Sequence, residues 1–305
     1  MLQLVADGII IGSIVALGAI GLSLTISIFR FSNFSHGELM AWGAYLALVV
    51  NGMIAAATPL EPFSFGWPLV AATLCAVAGA AALAVALDTL VFRRLRRHGS
   101  ITLVIASFGA SLVLRSLLQY WQGGVPKYYT ENLQIAINVV PRSVQGGLRL
   151  TPDQMLVIGL MPVLVAALHA FLRYSLLGRS MRAAAANPDL ARVAGIDPER
   201  VYRATWILGG GLAAIAAVFA GITVQLRPTM GHELLLPLFA AVILGGAGSG
   251  IASIWGAVLG GLVLGLAEST AVTVLGAEYR PVAAIAVLTI ILLWRPNGLF
   301  GEKSA

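Results

Sequence analysis

Ser35, His36 and Glu38 supply the residue types of a nucleophile, a base and an orienting acid. Neighbours in sequence cannot wrap round one another in the geometry a triad requires, so no catalytic residue is assigned to them. His36, His98, His169 and His232 could ligate a metal, but none forms an H-E-x-x-H motif or an i,i+4 pair. Cys75 is the only cysteine and lies in an apolar run, which excludes an intrachain disulfide and any multi-cysteine metal site. No metal is assigned. A G-x-x-x-x-G-K-[ST] phosphate loop is missing, and the only lysines are Lys127 and Lys303, so the chain carries no Walker-type ATP engine. The run Gly245-Gly-Ala-Gly-Ser-Gly250 lacks the glycine two residues before Ser249 that an intramembrane serine protease would show, and reads as a helix break.

The remaining chemistry is that of ionisable groups in apolar surroundings: Asp7, Glu38, Asp88, Arg115, His169, Glu233 and Glu268. Charges within a membrane are costly and mark function by default. Asp88 and Glu268 stand near predicted helix ends, where snorkelling to the interface accounts for them as well as function does. Arg115 is the deepest basic residue, suited to an ion pair with a neighbouring helix, a headgroup contact or a transport role.

The elements that hold these groups are transmembrane helices. Of 305 residues, 59% are hydrophobic and 10% charged, against roughly 25% charged in a soluble domain. Apolar segments recur at about 4–29, 38–57, 68–92, 101–121, 153–173, 202–225, 234–246, 251–274 and 281–294, many of them near the ~20 residues that cross a hydrocarbon core. The expected fold is an all-α polytopic bundle of eight to ten helices, forming a single transmembrane domain over 1–305. The first run has no basic n-region and no cleavage site, so it reads as a retained helix. The net charge of +6 comes from arginines in short gaps, not from a nucleic-acid-binding stripe. By the positive-inside rule, Arg93, Arg94, Arg96 and Arg97, and the 174–201 loop with Arg179, Arg182, Arg192 and Arg200, face the cytoplasm. Segment 122–152 and Met1 then lie outside, and the tail from Arg295 lies inside.

Two helix starts echo each other. Arg30-Phe-Ser-Asn33-Phe-Ser35-His36-Gly37-Glu38-Leu is similar to Arg227-Pro-Thr-Met-Gly-His232-Glu233-Leu, each opening an apolar helix, one from inside and one from outside. Inverted repeats with broken helices are a mark of transporters, whose half-helix N-termini point toward the transport path. Asn33, Ser35, His36, Gly37, Glu38, His232 and Glu233 are therefore the candidate pathway residues. In the inner loop, Asn187 can cap a helix beginning at Pro188, with Asp189 in its first turn and Gly195 at its stop. Glycines such as Gly256, Gly260, Gly261 and Gly265 have the spacing of close helix packing.

With these motifs in place, Asn33-Phe-Ser-His-Gly-Glu-Leu-Met-Ala-Trp-Gly-Ala-Tyr45, Gly178-Arg-Ser-Met-Arg-Ala with Asn187-Pro188 and Gly195-Ile, and Ala241-Val-Ile-Leu-Gly-Gly-Ala-Gly-Ser249 with Gly256-Ala-Val-Leu-Gly-Gly261, the chain resembles the H-type permeases of branched-chain amino acid ABC importers, over nearly its whole length. The resemblance implies a bacterial inner-membrane subunit paired with a second permease, two ATPase subunits that hold ATP-Mg, and a periplasmic substrate-binding protein. It implies no cofactor in this chain. It also implies that Arg179, Arg182, Asn187, Pro188 and Gly195 belong to a loop that couples to an ATPase. An alanine run stands where many relatives have an acidic residue before Asn187, which removes the basis for a specific salt bridge to the ATPase. An ion-coupled secondary transporter and an intramembrane protease are the alternatives from other classes; amides, urea or aromatic carboxylates are alternative substrates.

Overall fold

In hydrocarbon every backbone N–H and C=O must find its partner within the segment, and the apolar runs accordingly become helices. The computed structural model describes residues 1–54, 60–130, 134–141, 147–246, 252–294 and 298. In chain order its helices are α1 (Leu2–Phe29), α2 (His36–Met53), α3 (Trp67–Leu87), α4 (Ser100–Gln122), α5 (Pro152–Tyr174), α6 (Leu176–Ala186), α7 (Pro188–Val193), α8 (Pro198–Thr223), α9 (Met230–Gly245), α10 (Ala252–Leu275) and α11 (Arg280–Trp294). Each of the nine apolar segments expected from sequence corresponds to one of these. Among the described residues, seven spans are long and apolar enough to cross a membrane, so the chain is a multi-pass membrane protein. α9, with 16 residues, spans only about 24 Å, less than the ~30 Å of hydrocarbon. The break expected after it begins at Gly246, which caps α9 in the left-handed region; Ser249 and the tail from Arg295, apart from Gly298, lie outside the described residues.

α1 is the axis of the bundle, buried on nearly every side between α8, α9 and α10. The glycines spaced for close approach are what allow this. Gly8 and Gly12 face Leu262, Gly265 and Leu266 of α10, and Gly261 faces Ala16. Gly245 and Gly256 bring α9 onto α10 in the same way. Without a hydrophobic force between helices in lipid, such backbone-level packing drives association.

At the arginine-rich end, α3 runs on through a π-turn (Asp88–Phe92) and a 3-10 turn (Arg96–His98). Of the readings open for Asp88 and Glu268, the structure does not take the one that sends them to the interface. Asp88 does not snorkel: it is buried and ion-paired with Arg96. Arg96 also reaches Glu199 of α8 at 3.4 Å, and its guanidinium lies over the Tyr202 ring at 4.1 Å. Phe92 and Trp206 stack alongside, with 6° between their planes. The ends of α1, α3 and α8 are thus held by Arg96, its two carboxylate partners and the rings of Phe29, Phe92, Tyr202 and Trp206. Glu268 likewise points inward, buried beside Arg280 at 3.9 Å.

The opposite end carries the 122–152 segment, which forms a two-stranded antiparallel pair, Ile137–Val140 with Leu148–Leu150. Asp153 fixes this end: it accepts from the Ser64 backbone N–H at 3.2 Å and from Gln134 Nε2 at 3.0 Å. A capping box between Thr151 and Gln154 starts α5.

Candidate functional site

α1 ends because Arg30 takes a left-handed conformation (φ 53°), which turns the chain back into the bundle. The following five residues climb along α1, and α2 begins at His36 against Gly18 and Gly21. Gly21 lies eight residues before Phe29, or about 12 Å of helix, so α2 starts well inside the bundle. Protein groups satisfy the break, as backbone at that depth requires. Asn33 Oδ1 accepts from the Ser35 N–H (3.1 Å) and the Ser35 hydroxyl (2.7 Å). Ser107 Oγ of α4 accepts from the Phe34 N–H at 3.1 Å.

His36 is fully buried with Nε2 3.0 Å from the Gly18 carbonyl. A carbonyl only accepts, so Nε2 carries the proton. Glu38 is buried, and its Oε1 accepts from Arg115 Nε (3.1 Å) and Nη2 (3.0 Å). Ser35, His36 and Glu38 therefore turn to three different partners, and no nucleophile–base pair exists among them. His36 Nδ1, Asn33 Nδ2 and Glu38 Oε2 are buried without a partner among the described residues.

The second helix start meets the first. Gly37 and Gly231, each the second residue of its helix, lie so close that a Cβ on either would overlap the other's carbonyl. Phe34 packs on Phe239 of α9, with ring centroids 5.2 Å apart. Thus the sequence echo corresponds to two helix openings in mutual contact. Its residues part company beyond that point: His232 and Glu233 are exposed, with Glu233 Oε1 accepting from Thr229 Oγ1 at 2.7 Å.

At the arginine-rich end, the expected helix from Pro188 forms as α7. Asn187 Oδ1 accepts from the N–H groups of Asp189 (3.1 Å) and Leu190 (3.0 Å), and Gly195 closes the turn at φ 82°. Sequence reasoning missed α6, which precedes it; the Ser175 hydroxyl caps that helix by accepting from the Gly178 N–H at 2.9 Å. Arg179 and Arg182 donate to the carbonyls of Tyr174 (3.5 Å) and Arg173 (3.3 Å), complementing the negative end of α5. One face of α7 rests near Ile28, Ile196 and Tyr202, whereas Leu190 and Val193 (90% exposed) project outward. Asn187→Ala is expected to destabilise α7 by about 1 kcal/mol, seen as roughly fivefold faster hydrogen exchange of the 188–194 amides with no change in α8.

Arg96, the partner of Asp88, was not legible as a site residue. The eight-residue separation from Asp88 matches no simple helical pairing rule, and only the π-turn brings the two together.

A multi-pass bundle with two helices opening inside it, and a capped helical loop presented at one end, has the architecture of a solute-translocating permease. The chain belongs to the family described as "Branched-chain amino acid transport system / permease component", whose model matches residues 4–294. Its relatives include the high-affinity branched-chain amino acid transport system permease protein LivH of Escherichia coli (strain K12), 32% identical over 99% of this chain and 96% of LivH. The corresponding protein BraD of Pseudomonas aeruginosa is 30% identical, with the same coverage. A probable LivH of Methanocaldococcus jannaschii is 28% identical over 98% of this chain and 92% of its own length. No solved structure gives a significant match.

Proposed function

We propose that this chain is one of two permease subunits of a bacterial ABC importer that carries branched-chain or related small amino acids into the cytoplasm. The observation that carries this reading is the contact of the two helix openings at Gly37 and Gly231, a point about which the two halves of the bundle can rock. The arginine-rich end is the cytoplasmic one by the positive-inside rule, with Met1 periplasmic and the chain in the inner membrane. There, Leu190 and Val193 on α7 form an apolar knob for a partner ATPase. ATP-Mg closes a pair of such ATPases, and α7 passes that motion through Tyr202 to the Arg96 cluster and the ends of α1, α3 and α8. On the other face a periplasmic binding protein delivers substrate. Asn33, Ser35, His36, Gly37 and Glu38, with His232 and Glu233, line or shape the pathway; the unpartnered polar atoms of Asn33, His36 and Glu38 supply its hydrogen-bonding capacity. Such a path must contact substrate differently in its inward and outward states, since equal binding shifts nothing.

The test is purification of the tagged protein from its host with mass spectrometry of what accompanies it. A second permease and two ATPases should be recovered, and the ATPases should be depleted when Arg182 or Gly195 is substituted. A solitary protein that performs ion-driven uptake would overturn the proposal in favour of a secondary transporter.

A further inference from the structure

The end of α1, the turn that follows it and the start of α4 border an open cavity of about 500 Å³ with no assigned role, with Arg30 exposed at its edge. Its polar lining comes from Arg30 and from Ser27, Ser32 and Ser100, and Ala185 of α6 closes one side. Arg30 makes no side-chain hydrogen bond or ion pair among the described residues. Ser27 is 93% buried, yet its hydroxyl has no partner among the described residues. Ser100 opens α4, whose N-cap Gly99 offers no side chain to the first N–H groups. A guanidinium, free hydroxyls and unclaimed helix N–H groups together recognise an oxyanion.

What leads away from the cavity identifies the class of that oxyanion. Ile101, Ile105, Phe108 and Leu112 of α4 are 76%, 67%, 49% and 45% exposed. Their spacing places them on one face of the helix, beginning at the cavity mouth. The stripe runs about 16 Å, the hydrocarbon depth of one leaflet. We propose that this cavity binds the headgroup of an anionic phospholipid of the cytoplasmic leaflet, with its acyl chains lying along this α4 stripe. Basic pockets between transmembrane helices on the cytoplasmic side have the chemistry for such headgroups. Because Ala185 belongs to the loop that presents α7, the bound lipid also braces that loop against the bundle.

The experiment is native mass spectrometry of the delipidated intact complex, offered phosphatidylglycerol, phosphatidylcholine or inorganic phosphate separately. Wild type should retain phosphatidylglycerol and neither of the others. Arg30→Gly suits the left-handed backbone while removing the charge, and should lower retention about fivefold, the factor for one basic side chain at an anionic lipid surface. Ser27→Ala should lower it as well, and Arg30→Lys should preserve it. Equal retention by Arg30→Gly, equal retention of phosphatidylcholine, binding of inorganic phosphate alone, or no lipid on wild type because a partner subunit covers α4 would each overturn the proposal.

Discussion

Arg115→Met is expected to cost the folded bundle about 3–5 kcal/mol, the usual consequence of removing one member of a buried ion pair. Glu38 is 1% exposed and Arg115 19%, and both guanidinium bonds go to the same carboxylate oxygen. With the guanidinium gone, the carboxylate stays inside the bundle with no cation, and must either take up a proton or pull α2 out of place. Since Glu38 stands in the first turn of α2, the disturbance falls on the contact between the two helix openings. The double substitution Glu38→Gln with Arg115→Met removes both charges and should recover most of the stability, because an apolar or neutral replacement of a buried pair is often nearly neutral. Thermal unfolding of the detergent-solubilised complex reads both effects on stability, and uptake into proteoliposomes reads what the pair does for transport. A stable double variant that still transports assigns the pair to architecture; a stable one that does not transport places it in the pathway. If Arg115→Met alone unfolds at the wild-type temperature, the pair holds nothing together.

Gly265→Leu should be equally damaging for a different physical reason. A Cβ at this position would overlap the backbone of Gly12 and the carbonyl of Gly8, and no side-chain rotation moves a backbone. Overpacking costs roughly 1–3 kcal/mol where side chains can yield, and more is expected where α1 itself has to back away. The expected result is loss of monodisperse protein on extraction. Gly109→Leu in α4 and Gly159→Leu in α5 are the controls: nothing lies within 4 Å of either Cβ position, so both should extract as the wild type does. A monodisperse Gly265→Leu variant would show that α1 and α10 do not need their backbone-level contact.

Both effects bear on how much of this molecule can be read without coordinates. The helices were legible because the bilayer imposes one length and one hydrogen-bonding solution on every apolar run, and α7 was legible because Asn187, Pro188 and Gly195 encode its start and stop locally. The glycines of α10 also announced close packing by their spacing. Their partners did not: Gly12 and Gly265 are brought together by tertiary structure alone. Arg115 was read as a deep cation with several equal roles, and only the placement of α2 beside α4 shows that Glu38 receives it. The inward turn of Asp88 was hidden because a charge near a helix end looks the same in sequence whether it faces headgroups or an arginine. α6 was overlooked for a simpler reason: its 11 residues are too few and too polar to stand out among spans twice as long.

The burial of α1 has a consequence for biogenesis. Most of its contacts are made with α8, α9 and α10, and the ribosome has to add about 250 residues after Gly12 before Gly261 exists, roughly 12–50 s at ordinary elongation rates. During that interval α1 can meet only the earlier elements, among them the start of α2 and α5, and lipid. Its one charged residue is Asp7, so the wait carries little electrostatic cost, and its glycine-lined surface stays open as a docking strip for the late helices. Assembly of the bundle around α1 is therefore completed from the C-terminal side, when α8, α9 and α10 arrive.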